Sequence, residues 1–106
     1  MNRIEQLNNL LLTNANDSFL QHALALEHIK LGDDDKALVL FTNILKVNED
    51  YVGSYYHLAK LYERMQQLPM AVETYKKGMM IAKKLKDQHA YNEMQGALED
   101  VEDADE

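Results

Sequence analysis

The sequence contains no cysteine, which removes disulfides, thiolate metal sites and thiol nucleophiles together. A small secreted scaffold without an oxidative staple is disfavoured on the same ground, and a reducing cytoplasm is the expected location. One proline and four glycines leave long stretches without punctuation, and tryptophan is absent while Tyr outnumbers Phe six to two. Extended helices are favoured over many short strands. No segment approaches the roughly 20 apolar residues of a membrane span, and the longest aliphatic run near the start is Leu10 to Leu12. Asn8 and Asn9 interrupt the opening where a secretory signal carries an apolar stretch, and Glu5 stands where it carries positive charge. Neither a membrane segment nor a signal is expected.

What is present fits one domain with one modest core: 106 residues, 46% apolar and 27% charged. The formal charge of −7 is unevenly placed, because six carboxylates fall among the last eight residues, Glu99, Asp100, Glu102, Asp103, Asp105 and Glu106. Residues 1–98 carry 12 acids and 11 bases and are nearly neutral. A nucleic-acid binder needs a basic stripe that releases phosphate counterions, and none runs through this chain. The one basic cluster, Lys76, Lys77, Lys83, Lys84 and Lys86, is expected to complement the negative end of a helix dipole, with an anion site as the alternative.

Sliding the chain by 34 residues brings like residues into register. Leu24 and Ala25 fall on Leu58 and Ala59, Ala37 on Ala71, and Phe41 on Tyr75. Leu45 and Val47 fall on the apolar Met79 and Ile81, and the shift extends backward to place Leu7 on Phe41, Leu11 on Leu45 and Asn14 on Asn48. These residues resemble the tetratricopeptide repeat family, whose 34-residue helix-turn-helix unit has a large residue, then Leu and a small residue, then Tyr, then Ala and an aromatic. The second unit reads Tyr55, Leu58, Ala59, Tyr62, Ala71 and Tyr75 at the family spacing. The first reads Gln21, Leu24, Ala25, His28, Ala37 and Phe41, with Gly32 at the turn. It departs from the pattern at Gln21 and His28, and the second unit has Gln66 where a turn glycine is common.

Small residues at Ala25, Ala37, Ala59 and Ala71 let antiparallel helices approach closely. Asp17 and Ser18 supply a helix start, Asp33 to Asp35 put carboxylates at a positive helix end, and Pro69 sits in a first turn. Six helices are predicted near 2–12, 18–31, 34–47, 52–66, 69–84 and 88–101. The sixth regains the repeat pattern only when slipped by two, so that Tyr91, Met94 and Leu98 take the places of Tyr55, Leu58 and Tyr62 and Val101 extends the stripe. The expected fold is all-α, an alpha-alpha superhelix of about six antiparallel helices in the right-handed tetratricopeptide-like solenoid class. Its domain covers 1–101, with a leading helix 2–12, repeats 18–51 and 52–85 and a capping helix 88–101, followed by a disordered acidic tail over 102–106.

Chemistry is thinly represented. His22 and His28 are six apart and point to different helix faces, and His28 aligns with Tyr62 and reads as a half-buried core residue with one hydrogen-bond partner. His89 and Glu93 have i, i+4 spacing, which supplies two ligands and no site. There is no phosphate loop and no nucleophile elbow, so no enzyme activity, metal or cofactor is expected. The methionines suit adaptable packing, with a minority at a partner surface.

The resemblance implies a concave face lined by the first helix of each pair, a surface this family uses to hold peptides or partner helices. The inward positions assigned to a partner-binding groove are Phe19, His22, Leu26 and Ile29, then Tyr56, His57, Lys60 and Arg64, then Asn92. The family's carboxylate clamp for chaperone tails places Lys and Asn where this chain has His22 and Leu26, so that ligand is not expected. The resulting expectation is a non-enzymatic scaffold or adaptor with a protein or peptide partner and no nucleic acid or membrane partner. The alternative is a self-assembling structural protein, a weak homodimer that covers Phe19, Leu26 and Ile29 with a second copy. A third reading has the leading helix cover that stripe.

Overall fold

In a computed structural model, described over residues 2–104, the chain forms six helices and, among the described residues, no strand. They are α1 (Arg3–Leu11), α2 (Ser18–Lys30), α3 (Asp34–Val47), α4 (Gly53–Arg64), α5 (Leu68–Lys84) and α6 (Gln88–Ala104). Where the sequence suggests one domain over 1–101, packing divides the chain into two compact units, residues 1–49 and 50–106.

In the first unit α1 packs on α2 and α2 on α3. Asn2 caps α1 by accepting the Glu5 N–H at 2.9 Å, and Asp17 caps α2 by accepting the Leu20 N–H at 3.0 Å. Ala25, Ala37 and Phe41 are fully buried, and Leu7 and Ile44 nearly so. Burying a side chain the size of Phe41 contributes about 1.5–3 kcal/mol, and the two alanines let the helix backbones come close enough to achieve it. Gln21, which occupies the place of Tyr55, is buried. Its Nε2 donates to the Ala15 carbonyl at 2.6 Å and its Oε1 accepts from Asn43 Nδ2 at 2.9 Å. A polar clasp thus joins α2, α3 and the loop before α2, where the second unit has an aromatic ring.

In the second unit α5 packs against both α4 and α6, and α6 also touches α4. The three helices converge on Gly78. A Cβ built there would lie 2.6 Å from the Tyr55 Cβ and would overlap the Met94 sulfur, so only glycine permits this spacing. Met94, Leu98 and Val101 are buried while Asn92 and Glu93 are exposed, which is the two-residue slip that the apolar pattern of α6 predicts. Asp87 caps α6 by accepting the Ala90 N–H at 3.0 Å, and Lys84 Nζ donates to the two Asp50 carboxylate oxygens at 2.9 and 3.1 Å.

Helices α2, α4 and α5 end in the same way. The N–H groups of Asp33, Gln67 and Asp87 reach back to the carbonyls of His28, Tyr62 and Ala82 at 2.9, 2.9 and 2.8 Å, the six-to-one bond of a Schellman cap. Each cap passes through a left-handed residue, Gly32 (φ 79°), Gln66 (φ 62°) and Lys86 (φ 60°). Only the first of these is glycine.

Two readings need correction. α6 runs on to Ala104, so Glu102 and Asp103 are helical and do not belong to a disordered tail over 102–106. Val101, 4% exposed, anchors that turn, and the N–H groups that follow it close helical bonds onto earlier carbonyls. Asp105 and Glu106, the remainder of the expected tail, lie outside the described residues. His28 is buried as expected, but its Nδ1 has no hydrogen-bond partner and stands 3.7 Å from Asp33 Oδ2, beyond hydrogen-bond reach.

Candidate functional site

Each unit carries an inward-position face on its first paired helix, and the two are built on one plan. In the first unit Phe19, His22, Leu26 and Ile29 follow one another at i, i+3, i+7 and i+10 along α2, a single stripe. Phe19 is 65% exposed, and the other three are half-buried. The His22 ring meets the core ring of Phe41 edge-on, with centroids 5.6 Å apart and planes at 69°. The third reading of the sequence, in which α1 covers the stripe, fails at Phe19, which stays exposed.

In the second unit the half-buried Tyr56 occupies the place of His22, and it meets Tyr75 in the same manner, at 6.4 Å and 60°. Such pairs contribute about 0.5–1.5 kcal/mol beyond their buried area and fix the ring that faces outward. His57 lies edge-on to Tyr56 at 5.5 Å. Burial pushes the His57 imidazole below its ordinary pKa, an effect partly opposed by the Glu93 carboxylate across on α6. His57 is therefore uncharged at neutral pH.

Lys60 Nζ lies 5.7 Å from the centroid of the Tyr56 ring and 3.6 Å from Glu63 Oε2, so its charge is shared between a π face and a carboxylate. Glu63 also accepts the hydroxyl of Tyr75, whose ring is wholly buried. Burial and that bond to Glu63 hold the Tyr75 phenol well above its ordinary pKa, and it remains a neutral donor. A chain of contacts thus runs from the core outward: Tyr75 to Glu63, Glu63 to Lys60, Lys60 to Tyr56.

Arg64 is exposed in the last turn of α4, where its charge complements the helix dipole. Asn92 is exposed on α6 and accepts from Gln88 Nε2 at 2.7 Å. In the second unit, then, the structure brings His57 and Lys60 each against Tyr56, while Asn92 bonds along its own helix. Among the described residues no group of three or more His, Cys, Asp or Glu side chains is placed to hold a metal ion, and His89 and Glu93 lie 3.9 Å apart without a third ligand.

The participation of Glu63 and Tyr75 is not apparent from either residue alone. The signal lies in the 34-residue shift: Glu63 corresponds to Ile29 and Tyr75 to Phe41. One unit has an apolar residue at both places, and the other has a carboxylate and a phenol that satisfy each other.

The tetratricopeptide repeat model matches residues 52–85. A tetratricopeptide repeat domain protein from Salinibacter ruber, solved in solution by NMR, is 41% identical over 81% of this chain and 87% of its own, with a TM-score of 0.79. PcrH, solved in complex with the chaperone binding region of PopD, superposes with a TM-score of 0.88 at 14% identity, over 97% of this chain and 78% of its own. The TPR2B domain of yeast Sti1, solved as a complex with an Hsp70 peptide, gives 0.88 at 12% identity, over 95% and 81%. No curated protein matches the chain.

Proposed function

The chain belongs to the tetratricopeptide repeat family, a protein-interaction fold, and we propose that it is a non-enzymatic scaffold that holds a peptide or partner helix against the inward-facing side of its repeat helices. The observation that carries this reading is Tyr56: a large ring held in one orientation by Tyr75 and His57, half open to solvent, with the Lys60 ammonium at its face. A preorganised aromatic beside a cation, mounted on a rigid helix, has the composition of an interface anchor, because little side-chain freedom is left to lose on binding. Tyr56, His57, Lys60, Arg64 and Asn92 are the proposed contact residues of the second unit, and Phe19, His22, Leu26 and Ile29 those of the first. The solved neighbours support the class of ligand, since PcrH is seen with a segment of PopD and the Sti1 domain with an Hsp70 peptide. His22 and Leu26, standing where the chaperone-tail clamp has Lys and Asn, argue for a different peptide here. The absence of cysteine favours a cytoplasmic setting, and no described helix is long and apolar enough to cross a membrane.

Exposure of Phe19 beside Leu26 and Ile29 favours a second reading, a weak homodimer through that stripe. Replacing Tyr56 and Lys60 together by Ala tests the first reading: capture of partner proteins should be lost with helical content and melting unchanged. Retention of the same partners by this double variant overturns it. Light scattering up to hundreds of micromolar tests the second, which requires a concentration-dependent mass that Leu26→Glu abolishes.

A further inference from the structure

On a different face of the second unit, α5 and α6 enclose a cleft that the scaffold reading does not use. It consists of two hollows of about 370 and 250 Å³ that share Lys83 and Tyr91 as lining residues. The floor is apolar: buried Ala82, half-buried Met79 and Tyr91, and Met80 at 67% exposed. Methionine side chains of this kind repack around differently shaped partners.

The rim is basic. Lys76 and Lys83 flank the methionines on α5 and Lys86 follows at the cap; among the described residues none of the three is in an ion pair. The one carboxylate that lines the cleft, Asp87, is engaged as the cap of α6. In a chain of net charge −7, this is positive charge without an ion-pair partner among the described residues, set around uncovered apolar surface.

The spacing defines the ligand further. Lys76, Met79, Met80 and Lys83 stand at i, i+3, i+4 and i+7, which places the two ammonium groups two turns apart, about 10.5 Å along the axis, with the apolar residues between them. The geometry points to a docking site for an acidic amphipathic helix of a partner protein, one that carries carboxylates at i and i+7 and large apolar residues at i+3 and i+4. Such a helix lays its apolar residues in the two hollows and its acids on Lys76 and Lys83. A second copy of this chain is a poor occupant: its own acidic helix, α6, already has Met94, Leu98 and Val101 buried.

A fluorescein-labelled synthetic helix of roughly five turns, with Glu at i and i+7 and Leu at i+3 and i+4, tests the site by anisotropy. Saturable binding that weakens with added salt is expected. A peptide with Lys in place of the two Glu residues should bind about tenfold more weakly, and Lys76→Glu/Lys83→Glu should reverse the preference. The Tyr56→Ala/Lys60→Ala protein should bind the acidic peptide normally, which separates this site from the inward-facing one. Equal affinity for the two peptides, or undiminished binding by Lys76→Glu/Lys83→Glu, overturns the assignment. So does a wild-type dimer, seen by light scattering, that Lys76→Glu/Lys83→Glu dissociates.

Discussion

The Tyr75 hydroxyl, on a ring with no exposed surface, donates a hydrogen bond to the carboxylate of Glu63 on α4. A core residue and a surface residue are thereby one unit: the core ring braces Tyr56, and its hydroxyl orients the carboxylate on which Lys60 rests. The first unit manages without either polar group, since Phe41 and Ile29 fill the same places.

Tyr75→Phe should therefore cost about 1.5–3 kcal/mol, because it strips a charged acceptor of its donor. Adding Glu63→Ile, which recreates the pair found in the first unit, should recover most of that loss, and a double-mutant cycle by urea unfolding measures the recovery. The pH dependence has a definite sign. A phenol whose pKa is raised by folding keeps its proton while the unfolded chain loses its own, so stability is fully present below about pH 10 and falls as pH rises above it. Unfolding followed from pH 8 upward should show a shallower alkaline loss in Tyr75→Phe than in the wild type.

Gly78→Ala places a methyl group against Tyr55 and Met94. Overpacking of this kind costs about 1–3 kcal/mol. Met94→Ala empties the space on one side, so the double variant should lose less than the sum of the two single losses. Thermal unfolding of the three variants provides the comparison.

Gln66 and Lys86 hold left-handed backbone without being glycine. Relief of that strain should make Gln66→Gly and Lys86→Gly each stabilising by about 0.5–1 kcal/mol, a rise in Tm of a few degrees for a domain of this size. Gly32→Ala should act in the opposite direction, and calorimetry on the three proteins would show both signs.

Much of this was legible in the residues. The 34-residue register locates the four alanines, Phe41 and Tyr75, all fully buried, because close helix packing admits only small residues at those points and a large one beside them. Helix ends follow from Asp17, Pro69 and Gly32, each of which acts within one turn of itself. What escaped the sequence depends on partners distant in the chain. Gln21 reads as a defective aromatic position until Asn43 and the Ala15 carbonyl are seen to satisfy it. The bond from the Tyr75 hydroxyl to Glu63, and the approach of Tyr55 and Met94 to Gly78, likewise emerge only when neighbouring helices are brought together. The basic cluster is explained by a helix dipole only in part: Lys83 and Lys84 lie in the last turn of α5, whereas Lys76 is two turns earlier on the rim of a cleft.

The three Schellman turns reverse the chain within about three residues, so α2 meets α3, α4 meets α5 and α5 meets α6 with almost no loop to close. The entropic barrier to each encounter is correspondingly small, and every helix pair so joined consists of immediate neighbours in sequence. Folding by such short-range encounters proceeds in microseconds to milliseconds, faster than a ribosome adds the next residue. The hairpin of α2 and α3 can thus close during synthesis, while α6 is still to be made.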